Sequence, residues 1–445
     1  MPQLGRPPSF CHRVPRHRRK ARFGHPDRLP WVNFMLDQIT TPPSCAVPVV
    51  VGPGDAADSI KAVRKVRVLH IVNGQHFAGA ERVQSHLGRC LPKFSVAADF
   101  AFVKPGIFAQ MVHDRQGEWG NGFNVAMSGR FDVRPAWHLC DLIGQYSYDL
   151  LHAHTPRTAV IAAIASRLSG VPWIYHIHRP AARDSINPLT NRINSWVEKQ
   201  SLRSCLHQIA VSESLRLESV AGGAAEDHVS VVHNGVPASS RRRDGLPPPS
   251  GRWTLGMIAL IRPRKGLEVL LEALRNLNQR GHDVALRCVG PFESSEYETE
   301  IDERIHELGI QNRVRRVGFC DDVPGALAEL DAMVLPSLFG EGLPMAVLEA
   351  MAAAVPVIAT RVEGTPEAIT HGVEGLLAEP RDPASLTETI ESLITGKRDW
   401  RQLAEHAHAR HQRCFSDEAM AKSTAEVYRR LCQIPEQSNQ DEADS

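Results

Sequence analysis

Ala332-Met333-Val334-Leu335-Pro336-Ser337-Leu338-Phe339-Gly340-Glu341-Gly342-Leu343-Pro344-Met345-Ala346-Val347-Leu348-Glu349-Ala350-Met351 reads as a short apolar strand, a glycine turn and a helix. Pro344 suits the first helical position, because the N–H that proline lacks would have no partner there. A helix beginning at this point leaves N–H donors free from Gly342 through Ala346, omitting Pro344, aimed at whatever lies above the strand. Seven residues separate Glu341, in the turn, from Glu349, in the helix. Two carboxylates bracketing an anion site suit a ligand with hydroxyls on both sides of a phosphate, and a nucleotide-sugar has that form. The alternative for Glu349 is a solvated helix face. Its apolar neighbours Val347, Leu348, Ala350 and Met351 weigh against that, since a carboxylate within a buried run needs partners.

Working outward, the same alternation repeats on both sides. Downstream of Trp253 the pattern predicts strand 253–261, helix 265–280, strand 283–290, helix 296–309 and strand 313–317. It continues with strand 331–335, helix 344–353, strand 355–360 and helix 382–395, and helical segments at 399–413 and 416–432 close the series. Upstream, Val66–Val72, Val96–Val103, Leu150–Ala153, Trp173–Ile177, Gln208–Val211 and Val229–Val232 read as strands. Gly79–Leu91, Pro156–Gly170 and Ser212–Ala221 lie between them with helical spacing. Apolar strands alternating with helices argue parallel sheets covered on both faces. The expectation is an α/β chain of two Rossmann-like, doubly wound domains at 66–237 and 253–413, joined by a Pro/Ser/Arg-rich linker at 238–252. A last helix at 414–432 would return to the first domain, and 433–445, acidic and poor in apolar residues, reads as a disordered tail.

The 445 residues carry 51 Lys+Arg against 50 Asp+Glu, a balance that gives no support to a nucleic-acid binder. Residues 1–65 read as a basic and Pro/Gly-rich extension; it is either a disordered tail or, in part, sequence upstream of a start at Met35. Nine scattered cysteines without a Cys-x-x-Cys pair read as buried small hydrophobes of a reducing compartment. With no apolar run near the ~18 residues of a membrane span, the expected location is cytoplasmic, with peripheral contact at the inner membrane face as an option.

Three further segments carry candidate chemistry. After the first strand, Gly74 and Gly79 have the spacing of a phosphate loop, but Ala80 and Glu81 stand where its Lys and Ser/Thr belong. No Gly-x-Gly-x-x-Gly is present here to mark a dinucleotide dehydrogenase. What remains is a glycine turn at a helix N-terminus, which serves an anion or simply a tight connection. His152/His154 and His176/His178 are i, i+2 pairs near strand ends, so each pair projects to one face. Four imidazoles could converge on a metal, but no Asp, Glu or Cys accompanies them, and no metal is expected. Arg262-Pro263-Arg264-Lys265-Gly266 puts three cations after the second domain's first strand, either an anion grip or three solvated charges.

From 66 to 432 the chain resembles the retaining GT-B glycosyltransferases of family 4, also called group 1. The likeness is carried by the Glu-x7-Glu segment and Gly364-Thr365-Pro366-Glu367. AGAERV at 78–83, LLHAH, VPWIYHIH, VSES at 211–214, HNGV at 233–236, the RPRKG turn and VGFCDDV at 317–323 add to it. The resemblance implies two domains facing a central cleft. It also implies transfer of a sugar from a nucleoside-diphosphate donor to an acceptor hydroxyl, in cell-surface polysaccharide or glycolipid synthesis. Gly79 would let the chain approach the donor diphosphate, and His178 would stand near the reacting sugar. Arg262 and Lys265 would neutralise the leaving diphosphate. Glu341 would hold the sugar hydroxyls, Glu349 the ribose, and Phe319–Val323 would border the base. Gly342, Leu343 and Met345 would supply backbone contacts to the donor. Two positions depart from the family pattern: Ala78 replaces one of a glycine pair, and Leu260 stands where an arginine is usual, so Arg262 is assigned its duty as a hypothesis.

Cations at 262–265 and the helix N-terminus could balance the leaving diphosphate without a metal, so no cofactor is expected; the resemblance implies retention of configuration. A GT-B-like sugar-nucleotide epimerase and a degenerate sugar-nucleotide-binding subunit are the alternatives. The acceptor would be a glycan or lipid-linked molecule. Arg179, Arg183, Arg192, Lys199 and Arg203 suit a lipid phosphate, or else make an ordinary solvated face.

Overall fold

The computed structural model describes residues 64–433 apart from 76, 78, 130–131, 179–198, 244, 246 and 248–250. The N-terminal extension, the acidic tail, Ala78 and most of the basic segment 179–203 lie outside the described residues.

The first sheet contains β1 (Val66–Val72), β2 (Val96–Phe102), β3 (Gly122–Asn124), β4 (Leu150–Ala153), β5 (Trp173–Ile177), β6 (His207–Ala210) and β7 (Val229–Val231). All pairings are parallel, in the spatial order 3-2-1-4-5-6-7. The connecting helices are α1 (Gly79–Cys90), α2 (Ile107–Asp114), α3 (Pro135–Tyr146), α4 (Pro156–Ser169) and α5 (Glu213–Ala221). Helices on both faces explain why β1 and β4 are buried at nearly every position instead of alternating. Local signals set the helix ends: Thr155 and Thr158 form a reciprocal cap before α4, and Gly170 closes that helix in the left-handed conformation.

The second sheet runs β8 (Trp253–Ile258), β9 (Val284–Val289), β10 (Val314–Gly318), β11 (Ala332–Leu335), β12 (Val357–Thr360) and β13 (Leu376–Ala378), in the spatial order 10-9-8-11-12-13. Its helices are α6 (Leu267–Gln279), α7 (Ser295–Leu308), α8 (Val323–Ala328), α9 (Met345–Ala352), α10 (Thr365–Ala368) and α11 (Pro383–Ile394). In both sheets the order reverses beside the first strand, the position at which open α/β sheets form a crevice beyond the strand ends.

α12 (Trp400–Arg410) and a single π turn, His411–Phe415, lead to α13 (Asp417–Leu431). The buried Met420, Ala421, Ala425 and Tyr428 of α13 join Val66, Val68, Leu87 and Leu150 in one core, so the last helix completes the first domain.

Several expectations need adjustment. Pro344 is the residue before α9, with ψ 116°, so helical geometry starts at Met345. β3, α2, α3, α8, α10 and β13 were not anticipated. β3 is three residues long and owes its extended form to pairing with β2, not to an alternating pattern of its own. Of the described cysteines, Cys90 and Cys288 are buried while Cys414 is exposed, which corrects the reading of all of them as core residues.

Candidate functional site

Glu341 is 5% exposed, and its charge is met from three directions. Lys265 Nζ donates to Oε1 at 2.5 Å, Ser337 Oγ donates to the same oxygen at 2.6 Å, and Arg264 Nη1 lies 3.6 Å away. Arg264 also donates to the carbonyl of Gly340 at 3.0 Å. Burial alone would raise the Glu341 pKa. The cations Lys265 and Arg264 and the donated hydrogen bonds outweigh it and hold the carboxyl below its usual range. The turn carrying Lys265 can lie this close because residue 266 is glycine. Its φ is +69°, and a Cβ there would stand 2.2 Å from the Pro336 carbonyl. Behind the loop, Glu363 accepts from the N–H groups of Gly340 (2.9 Å) and Glu341 (3.3 Å).

Glu349 points from α9 to the other domain, where it is paired with Arg82 of α1. Its burial outweighs that pairing and keeps its pKa raised. More contacts join the domains around the same turn. Asn234 Nδ2 donates to the Leu343 carbonyl at 3.0 Å. Glu367 of α10 accepts from the N–H groups of Glu213 (2.6 Å) and Ser214 (2.9 Å) at the start of α5, placing a carboxylate on a helix N-terminus. The Gly342 backbone abuts His178, so that a Cβ on Gly342 would stand 2.3 Å from the His178 carbonyl.

The N-termini of α1 and α9 meet here: a Cβ on Gly79 would lie 3.9 Å from Met345 Cγ, an ordinary contact. Among the described residues nothing therefore demands glycine at 79. Of the remaining candidates, Leu343 is buried and Arg262 pairs with Glu293 of its own domain at 3.3 Å. Phe319 is exposed on the loop after β10, and Val323 opens α8. Arg82, Ser337, Glu363 and Asn234 were not singled out from the sequence. Arg82 and Asn234 sit inside the quoted AGAERV and HNGV segments, but nothing in those segments names their partners.

His178 Nε2 stands 3.1 Å from His154 Nδ1, whose ring continues to His70 at 2.9 Å between Nε2 and Nδ1. Two triplets, His70/His152/His154 and His154/His176/His178, bring one nitrogen each within 4.8 Å of one another, close enough to be tested as metal sites. Ring orientation speaks against the second of them. His176 and His178 are face to face, 4.2 Å apart and tilted by 1°, and lone pairs lie in the ring planes. Parallel rings send those lone pairs out side by side instead of to a common point.

A family model described as "Glycosyltransferase Family 4" matches residues 77–240, and one described as "Glycosyl transferases group 1" matches residues 239–410. The chain is 28% identical over 316 residues to a D-inositol 3-phosphate glycosyltransferase of Corynebacterium urealyticum, covering 65% of this chain and 73% of that one. It is 26% identical over 290 residues to the UDP-Gal:alpha-D-GlcNAc-diphosphoundecaprenol alpha-1,3-galactosyltransferase of Escherichia coli, covering 60% and 71%. The crystal structure of Anabaena HepE with UDP superposes with a TM-score of 0.70 at 22% identity, covering 81% of this chain and 99% of that one. At that identity the likeness concerns the fold, which is GT-B. Two family models in tandem across both domains, sequence relatives spanning most of their own length and the shared fold agree: the chain belongs to the group 1 (family 4) glycosyltransferases, which use nucleotide-sugar donors.

Proposed function

We propose that the protein transfers a sugar from a uridine diphosphate donor to a hydroxyl of a glycan or lipid-linked acceptor, with retention of configuration and without a divalent metal. One observation carries the reading: Lys265 and Glu341 share a buried contact beside the meeting N-termini of α1 and α9. On donor binding Lys265 and the α9 N–H groups would face the diphosphate, and Glu341 would take the sugar hydroxyls. Gly342, Leu343 and Met345 would give backbone N–H donors. Glu349 would accept from the ribose, Phe319 and Val323 would border the base, and Arg262 would add charge to the grip. Fixed positive charge and helix N-termini stabilise a departing diphosphate where other transferases use Mg²⁺. The bond from C1 to the diphosphate oxygen breaks, the acceptor oxygen bonds to C1 on the same face, and the acceptor's proton passes to the departing diphosphate. His178 would stand beside the reacting carbon.

The uridine choice is supported by HepE, solved with UDP and with UDP-glucose, and by the E. coli relative named for UDP-Gal. The diphosphoundecaprenol in that second name supports a lipid-linked acceptor. Among the described residues no helix is long and apolar enough to cross a membrane, so contact with such an acceptor would be peripheral.

A screen of UDP-sugars by thermal shift, followed by product analysis with excess chelator, tests the proposal. A donor that raises the melting temperature, nucleotide release that survives chelation, and an anomeric product matching the donor are expected. Activity lost to chelator and restored by Mg²⁺ or Mn²⁺ would refute the metal-free account. Epimerised donor or inert binding would identify the two alternatives.

A further inference from the structure

Strand register brings five imidazoles together in the first domain. His70 of β1 lies beside His152 of β4, and His152 beside Ile174 of β5, which brings His154 and His176 level two residues further on. Tyr428 of α13 reaches into this group: its hydroxyl is 2.6 Å from His152 Nδ1 and 3.4 Å from His70 Nε2. A continuous path therefore runs from His178 through His154 and His70 to Tyr428 and on to His152.

The rings on this path are oriented to hydrogen-bond. The ring centres of His154 and His178 are 5.4 Å apart, and those of His70 and His154 are 5.2 Å apart. These separations exceed the nitrogen–nitrogen distances by little more than the two ring radii, and the planes are tilted by only 22° and 19°. Each pair thus meets edge to edge with its nitrogens on the line of centres, as N–H···N bonding requires. His152 lies over His154 at 4.2 Å as a second layer, with its Nε2 unpartnered.

The order of the protons follows from the phenol. Taken as an O–H donor, for which 2.6 Å is an ordinary separation, Tyr428 donates to His152 Nδ1 and accepts from His70 Nε2 at the longer 3.4 Å. A neutral imidazole has one N–H and one lone pair. His70 Nδ1 then accepts from His154 Nε2, and His154 Nδ1 accepts from His178 Nε2. Burial keeps the intermediate rings neutral, lowering His70 to about 3 and His154 well below its usual range.

We propose that Tyr428, acting through His70 and His154, fixes the tautomer of His178 with the proton on Nε2 and the lone pair on Nδ1. These three are positioning residues for sugar transfer, a role that rests on the proposed place of His178 beside the reacting carbon. Because Tyr428 belongs to the helix that follows the second domain in sequence, docking of that helix is a condition for the correct form of His178.

The test uses the full chain with ¹⁵N-labelled histidine, where long-range ¹H–¹⁵N spectra report which ring nitrogen carries the proton. The native protein should show His178 and His154 protonated at Nε2. Tyr428→Phe keeps the buried ring but removes the acceptor for His70, so the tautomer populations of His70, His154 and His178 should shift together. Transfer kcat should fall by on the order of tenfold or more, bounded by the ~10⁴-fold cost of a wrong tautomer at a catalytic histidine, with donor KM nearly constant. His70→Asn breaks the path at another point and provides the same readout if the phenylalanine variant does not fold. Unchanged His154 and His178 tautomers in both variants would overturn the proposal, as would a stoichiometric metal bound in the native chain. Tautomers that shift with kcat unaltered would overturn the positioning role and the reading of His178 beneath it, leaving the hydrogen-bonded path in place.

Discussion

Arg82, on the first helix of the first domain, is ion-paired with Glu349, on the helix that opens from the second domain's glycine turn. The glutamate is nearly enclosed and the arginine partly exposed, with side-chain exposures of 9% and 28%. Removing one member should therefore be asymmetric. Arg82→Ala leaves a buried carboxylate without its cation and should cost about 3 kcal/mol in urea unfolding. Glu349→Gln leaves a cation that can turn to water and should cost distinctly less. In the double variant the loss should fall below the sum of the singles, the mark of a direct contact. Additive losses would mean that the pair does not couple the domains.

The two glutamates of the central segment should respond to pH with opposite signs. Glu341 has a lowered pKa, chiefly because nearby Lys265 and Arg264 overcome its burial. Its stabilisation is present above the ordinary 4.5 and is lost as pH falls through the folded value. Glu349 has a raised pKa because burial prevails over Arg82. Its contribution is present below 4.5 and is lost as pH rises through the folded value. Urea midpoints collected through the acid range should show Glu341→Gln flattening the acid-side loss, whereas Glu349→Gln relieves a loss on the higher-pH side. Changes of the same sign in both variants would contradict the electrostatic description.

Two glycines of the site should separate fold from ligand. At Gly342 a methyl group would collide with the His178 carbonyl, so Gly342→Ala should lower the melting temperature as well as activity. At Gly79 the methyl meets, among the described residues, only Met345 at van der Waals distance, so Gly79→Ala should leave the melting temperature of the free protein unchanged. If the donor diphosphate approaches that helix terminus, the same variant should weaken UDP binding by about tenfold, roughly 1.4 kcal/mol. Equal UDP affinity in Gly79→Ala and native protein would remove Gly79 from the donor site.

Lys265→Met should lower kcat by about 10²–10³, the usual effect of deleting one preorganised donor to a developing anion. It should also leave Glu341 without its nearest cation. Arg262→Ala provides the comparison, because Arg262 is paired with Glu293 in the structure. A smaller but measurable fall in donor turnover is expected from it. Unchanged turnover in steady-state assays would take Arg262 out of the diphosphate grip.

Much of this was legible from residue order alone. The apolar strand Ala332–Leu335, the glycine turn and the helix beyond it announced an α/β unit, because strand burial, turn chemistry and helix entry are local matters. The same signals gave most strands of both sheets within a few residues. Pattern reading failed where an element draws its form from a neighbour, as β3 does from β2. Which charges meet was also beyond it. Arg82 and Glu349 are 267 positions apart, Glu367 caps a helix that begins more than 150 residues earlier, and Tyr428 reaches His70 across 358 positions. Local sequence thus determined the two-domain plan and the residue types available for chemistry. Tertiary structure alone decided their partners and charge states, because those depend on burial and on distances that only the folded chain brings down to a few ångströms.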